Sequence, residues 1–109
     1  MQVPEQTLRD MLNVVVREVQ PERIYLFGSQ VTGNATRDSD IDLMIVQPES
    51  FGPQKRWGEM QRIRKALRGF RVAKDILVFS RAEFDELSAS PNHIVGHVVH
   101  TGALVYERH

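Results

Sequence analysis

Residues Ile24 to Val46 read IYLFGSQVTGNATRDSDIDLMIV, and the order of chemistries along this stretch decides how the rest of the chain is arranged. Its ends, Ile24 to Phe27 and Ile41 to Val46, are apolar runs rich in β-branched and large residues, bounded by Gly, Ser, Asn and Asp, which is the pattern of strands. Between them, Gly28 lets the backbone approach a ligand with no Cβ in the way. Ser29 opens a short helical turn whose free N–H groups face outward, the makings of an anion site. Asp40 and Asp42 stand at the start of the second strand, where a side-chain period of two sets both carboxylates on one face. Neighbouring acids repel and need a cation. Hard oxygen donors suit Mg²⁺, which keeps several waters and takes further ligands from substrate phosphates. A phosphate cradle followed by a carboxylate pair therefore points to a metal–nucleotide site, provided that the two strands are neighbours.

Gly28-Ser29, ten residues, then Asp40-Ile41-Asp42 resembles the signature of the DNA polymerase beta-like nucleotidyltransferase superfamily, with Gly33 and the Ser39 to Leu43 context also agreeing. The short length resembles its minimal nucleotidyltransferase (MNT) branch. The pattern departs at Gln30 and Thr32, where many relatives have an arginine; this bears on rate and nucleotide affinity rather than on fold.

The resemblance implies transfer of a nucleoside monophosphate from an NTP to an acceptor hydroxyl, with release of pyrophosphate. Asp40 and Asp42 would hold two Mg²⁺, and Gly28 and Ser29 the β- and γ-phosphates. The superfamily has a third carboxylate on a later strand, and Asp75, inside the apolar run VAKDILVF, matches it by context. It would complete the metal site and help deprotonate the acceptor. The other reading of Asp75 is a strand-edge aspartate paired with Lys74 or an arginine. Free-standing MNT proteins of this size are similar to antitoxins that add AMP to a tyrosine of a HEPN ribonuclease toxin. ATP and a HEPN-type toxin are thus the implied partners, in a hetero-oligomer. A masking antitoxin without catalysis and a small-molecule nucleotidyltransferase are the alternatives, and nothing in the sequence selects the base.

A chain of 109 residues is expected to form one domain, residues 1–109, with a single modest core. Fourteen basic and fourteen acidic residues balance, so the strong positive charge of a general nucleic-acid binder is lacking. With no Cys, disulfides and thiolate metal sites are excluded. No apolar run approaches the roughly 20 residues that span a bilayer. The start MQVPEQTLRD lacks a signal-peptide pattern, and the expectation is a soluble, cytoplasmic protein.

Along the chain, Leu8, Met11, Leu12, Val15, Val16 and Val19 recur at helical spacing from Glu5 to Val19, and Pro21 ends that helix. A second helix from Gln54 to Arg68 carries the stripe Trp57, Met60, Ile63 and Leu67, expected as core, with Lys55, Arg56, Arg62, Lys65 and Arg68 largely elsewhere. Val72 to Phe79 reads as the third strand. Ser80 caps a short helix with Glu83 at the capping-box position, and Ser90 starts another. On that last helix Ile94, Val95, Val98 and Val99 form the expected buried side. His93, His97 and His100 fall opposite, as a polar surface or interface rather than a zinc site. Ala103 to Tyr106 reads as an edge strand. The sum is an α/β (α+β) nucleotidyltransferase fold, a small mixed sheet with helices packed mainly on one face and the metal site on the open side.

Overall fold

A computed structural model describes residues 5–28, 41–48 and 52–108. Four strands, β1 (Arg23–Phe27), β2 (Ile41–Gln47), β3 (Lys74–Ser80) and β4 (Ala103–Glu107), form one sheet in the order β3-β2-β1-β4. β1 runs antiparallel to both β2 and β4, whereas β2 and β3 are parallel. A parallel pair needs a crossover, and α2 (Pro53–Ala66) supplies it. The first and second strands are thus direct neighbours, as the site requires. Ser29 and Asp40, with the helical turn expected between them and the departures at Gln30 and Thr32, lie outside the described residues.

The two longer helices share one face of the sheet. Met11 and Val15 of α1 (Glu5–Val19), with Ile63 of α2 and Leu67 at its C-cap, close over Ile24, Leu26, Ile41, Leu43, Ile45, Ile76 and Val78, all of them buried. β1, β2 and β3 contribute alternate residues, which is the pleat's period of two. α1 stops where Gln20 enters the left-handed region at φ 50°, followed by Pro21, which cannot continue a helix. On the opposite face, two short helices, α3 (Arg81–Leu87) and α4 (Ile94–Thr101), pack Phe84, Val95 and Val98 against Tyr25, Met44 and Val46. This smaller cover explains why β2, buried on both faces over most of its length, reads as a continuous apolar run rather than an alternating one.

Three expectations change. Trp57 is 64% exposed and is not core. α2 meets the sheet through Met60, Ile63 and Leu67, while its first turn is held by Arg56, whose guanidinium donates to Val78 O (3.3 Å) and to Glu83 and lies 5.4 Å from the Phe79 ring. The last helix starts at Ile94, not Ser90. Residues 88–93 turn through Ser90 N to Leu87 O and His93 N to Ser90 O bonds, and Gly96 sits so close to this turn that a Cβ would lie 1.9 Å from Ser90 O. On the same helix, Ile94 and Val99 are 39% and 37% exposed, leaving only Val95 and Val98 in the core.

A candidate nucleotide site at the β1–β2–β3 edge

The register of the sheet brings the candidate residues together. Phe27 pairs with Asp42 across β1 and β2, and Asp42 pairs with Asp75 across β2 and β3. In-register residues on neighbouring strands share a face with backbones about 4.8 Å apart. Asp42 alternates with Met44 and Val46, and Asp75 with Leu77 and Phe79, so both carboxylates belong to the face that carries α3 and α4. They occupy the end of it where β2 and β3 begin. Asp42 is half-buried there, and the Asp75 side chain is 53% exposed.

Gly28 follows the last residue of β1 at φ 78°, a left-handed conformation that glycine adopts without a Cβ penalty. A Cβ at this position would stand 2.1 Å from Asp42 Oδ2. The glycine therefore makes room for the carboxylate. Two hard oxygen donors in adjacent strands, one against bare backbone, suit a divalent cation with phosphate co-ligands. Asp75 also meets Arg64 of α2, with Nη2 3.6 Å from Oδ1, so the strand-edge pairing with an arginine and a place on the Asp42 face hold together. Lys74 instead donates to Phe70 O (3.0 Å). Burial, and then the Arg64 charge, lowers the Lys74 pKa below the usual lysine value.

The histidines do not act as a trio. His93 is the N-cap of α4, its Nδ1 accepting from Val95 N (3.1 Å), and its ring packs edge-on to Phe79 at 6.0 Å. His97 and His100 line a cavity of about 300 Å³ with Ser88, Ala89, Pro91 and Gly96. Among the described residues no three of His, Cys, Asp and Glu gather to hold a metal. Arg64 is the site neighbour that sequence reasoning passed over. Its spacing from Asp75 across a crossover has no periodic signal.

The sequence family described as Polymerase beta, Nucleotidyltransferase matches residues 10–109. The chain belongs to this nucleotidyltransferase family. No curated protein is similar enough in sequence to match. Among solved structures, a Sulfolobus solfataricus protein is similar at 21% identity and TM-score 0.58, over 99% of this chain and 93% of that one. A chain of a Shewanella oneidensis complex, a tri-AMPylated HEPN toxin with MNT antitoxin, is similar at 18% identity and TM-score 0.56 over 95% and 72%. A toxin–antitoxin solved with AMP-PNP gives 22% identity and TM-score 0.53 over 91% and 73%. At these identities the likeness is one of fold, which the mixed sheet and flanking helices of this nucleotidyltransferase share. No described helix is long and apolar enough to cross a membrane.

Proposed function

We propose that this nucleotidyltransferase is an MNT antitoxin that moves AMP from ATP to a hydroxyl, a tyrosine in the leading case, of a HEPN-type toxin in the cytoplasm. The observation that carries the reading is the Gly28–Asp42–Asp75 alignment: a bare backbone turn and two carboxylates in register at one end of a sheet. The AMPylated toxin complex and the AMP-PNP complex among the similar folds support the choice of nucleotide and partner.

In this reading Asp40, Asp42 and Asp75 would hold two Mg²⁺, which would supply charge stabilisation for an in-line displacement. Gly28 and Ser29 would bind the β- and γ-phosphates through N–H and hydroxyl donors. Asp75 takes the proton of the acceptor hydroxyl as general base. The acceptor oxygen bonds to the α-phosphorus, the bond from that phosphorus to the bridging oxygen breaks, and pyrophosphate leaves with the electron pair.

Intact-protein mass spectrometry of the partner tests the proposal. Wild-type protein with ATP and Mg²⁺ is expected to add AMP mass to the partner. Asp42→Asn, which keeps the shape and removes the charge, is expected to abolish the addition and leave the complex intact, since a docking surface is wider than one carboxylate. If Asp42→Asn neutralises the partner in cells as well as wild type, with no adduct on either, masking is the function.

A further inference from the structure

Residues 64–74 read RKALRGFRVAK, five cations without an acid, in a chain whose formal net charge is zero. The stretch runs from the last turn of α2 through the connection into β3 and ends beside Asp75. Arg64, Lys65, Arg68 and Arg71 are exposed. Elsewhere on α2, Arg62 is tied to Glu18 (3.0 Å) and Arg56 to Glu83. By contrast, Lys65, Arg68 and Arg71 make no ion pair among the described residues, and Arg64 meets only the site's own Asp75.

The strand order fixes where this charge lies. Gly28 follows β1, Asp42 is on β2 and Asp75 on β3, so the basic edge flanks the site on the side away from Gly28. Phosphates held at Gly28 leave that far side for the incoming hydroxyl, and to this extent the inference rests on the function proposed above. We propose that the edge formed by Arg64, Lys65, Arg68, Arg71 and Lys74 docks the acceptor, and that it takes a protein segment with carboxylates close to the hydroxyl to be modified. The edge is short and stops at Asp75. A duplex, with one phosphate charge per about 1.7 Å of axis, needs a longer positive track than this short edge provides. A few carboxylates match it, and complementary charge of this kind steers encounter and fixes register.

The test uses the full-length protein and fluorescein-labelled peptides, a tyrosine flanked by glutamates and its isosteric glutamine counterpart, read by fluorescence anisotropy. The glutamate peptide is expected to bind about tenfold or more tightly at low salt and to lose that advantage at about 0.5 M salt, where screening reaches within a few ångströms. Arg68→Glu with Arg71→Glu, at exposed positions outside the transfer machinery, is expected to remove the advantage with an unchanged melting temperature. Equal binding of the two peptides, or acidic-peptide binding that survives the double reversal, overturns the proposal. So does tighter binding of a single-stranded RNA of similar length that the reversal abolishes. Asp42→Asn should keep peptide binding. If it also keeps transfer, the proposed function fails while the docking result stands on its own.

Discussion

Asp42 Oδ2 lies 2.1 Å from where a Cβ on Gly28 would be, and its carboxyl carbon 3.2 Å from the same point. The glycine at the end of β1 and the acid near the start of β2 are therefore one unit. The backbone gives way so that the carboxylate can lie against it.

Gly28→Ala separates stability from activity. The obstructing atom is the tip of a rotatable side chain, so the clash is relieved by turning Asp42, and the main folding cost is the left-handed φ, about 1–2 kcal/mol. The turned carboxylate no longer meets its ligand in place, and misplacement on that scale costs on the order of a hundredfold in rate. Chemical unfolding and a transfer assay on the same preparation check both halves. Full activity with a large stability loss contradicts the account.

Asp75→Asn is expected to show the same split. The Arg64–Asp75 pair is exposed, 43% and 53% for its two side chains, and such pairs contribute about 0–1 kcal/mol. Loss of a general base costs about a hundredfold or more in rate. Transfer kinetics beside a urea titration decide between a working carboxylate and a mere surface partner.

Much of this arrangement was legible in the sequence because it depends on periods and spacing. The two strands around Gly28 and the capping box at Ser80 and Glu83 are local patterns, whereas Asp75 was matched to the site through the family resemblance and stands beside Asp42 through the β2–β3 register. What was not legible depends on where an element ends relative to its neighbours. Trp57 keeps the helical spacing of Met60 and Ile63 but is exposed in the first turn of α2, where Arg56 makes the contacts to β3. His93 shares the helical spacing of His97 and His100, yet the helix begins at Ile94 rather than at Ser90 and Pro91, and the ring becomes a cap. Arg64 reaches Asp75 only because the β2–α2–β3 crossover brings the end of α2 back to the start of β3.

The exposed position of Trp57 gives a direct comparison along one helix. Trp57→Ala is expected to change stability by no more than about 0.5 kcal/mol, as at ordinary surface sites. Ile63→Ala, in the buried stretch of the same helix, should cost about 2–5 kcal/mol. Denaturant midpoints of the two variants measure the difference.

The cap of α3 predicts a pH dependence. Burial alone raises the Glu83 carboxyl, but the Ser80 N–H, Arg56 and the Ser80 hydroxyl together hold it below its ordinary value of 4.5. A carboxyl lowered in the folded state binds fewer protons there than in the unfolded chain. Its contribution is therefore present above pH 4.5 and lost as pH falls through the lowered value. Glu83→Gln should flatten the acid limb of a melting-temperature profile, and Ser80→Ala should cost about 1 kcal/mol at neutral pH.

A nucleotidyl group, and not a phosphoryl group, is what the proposed site at Asp42 transfers. Labelling the partner from ATP carrying ³²P at the α or the γ position reads this directly. The account predicts that α-label stays on the partner protein, that γ-label leaves in pyrophosphate, and that Asp42→Asn removes the α-label. Retention of γ-label on the protein, or α-labelling that Asp42→Asn leaves undiminished, contradicts it.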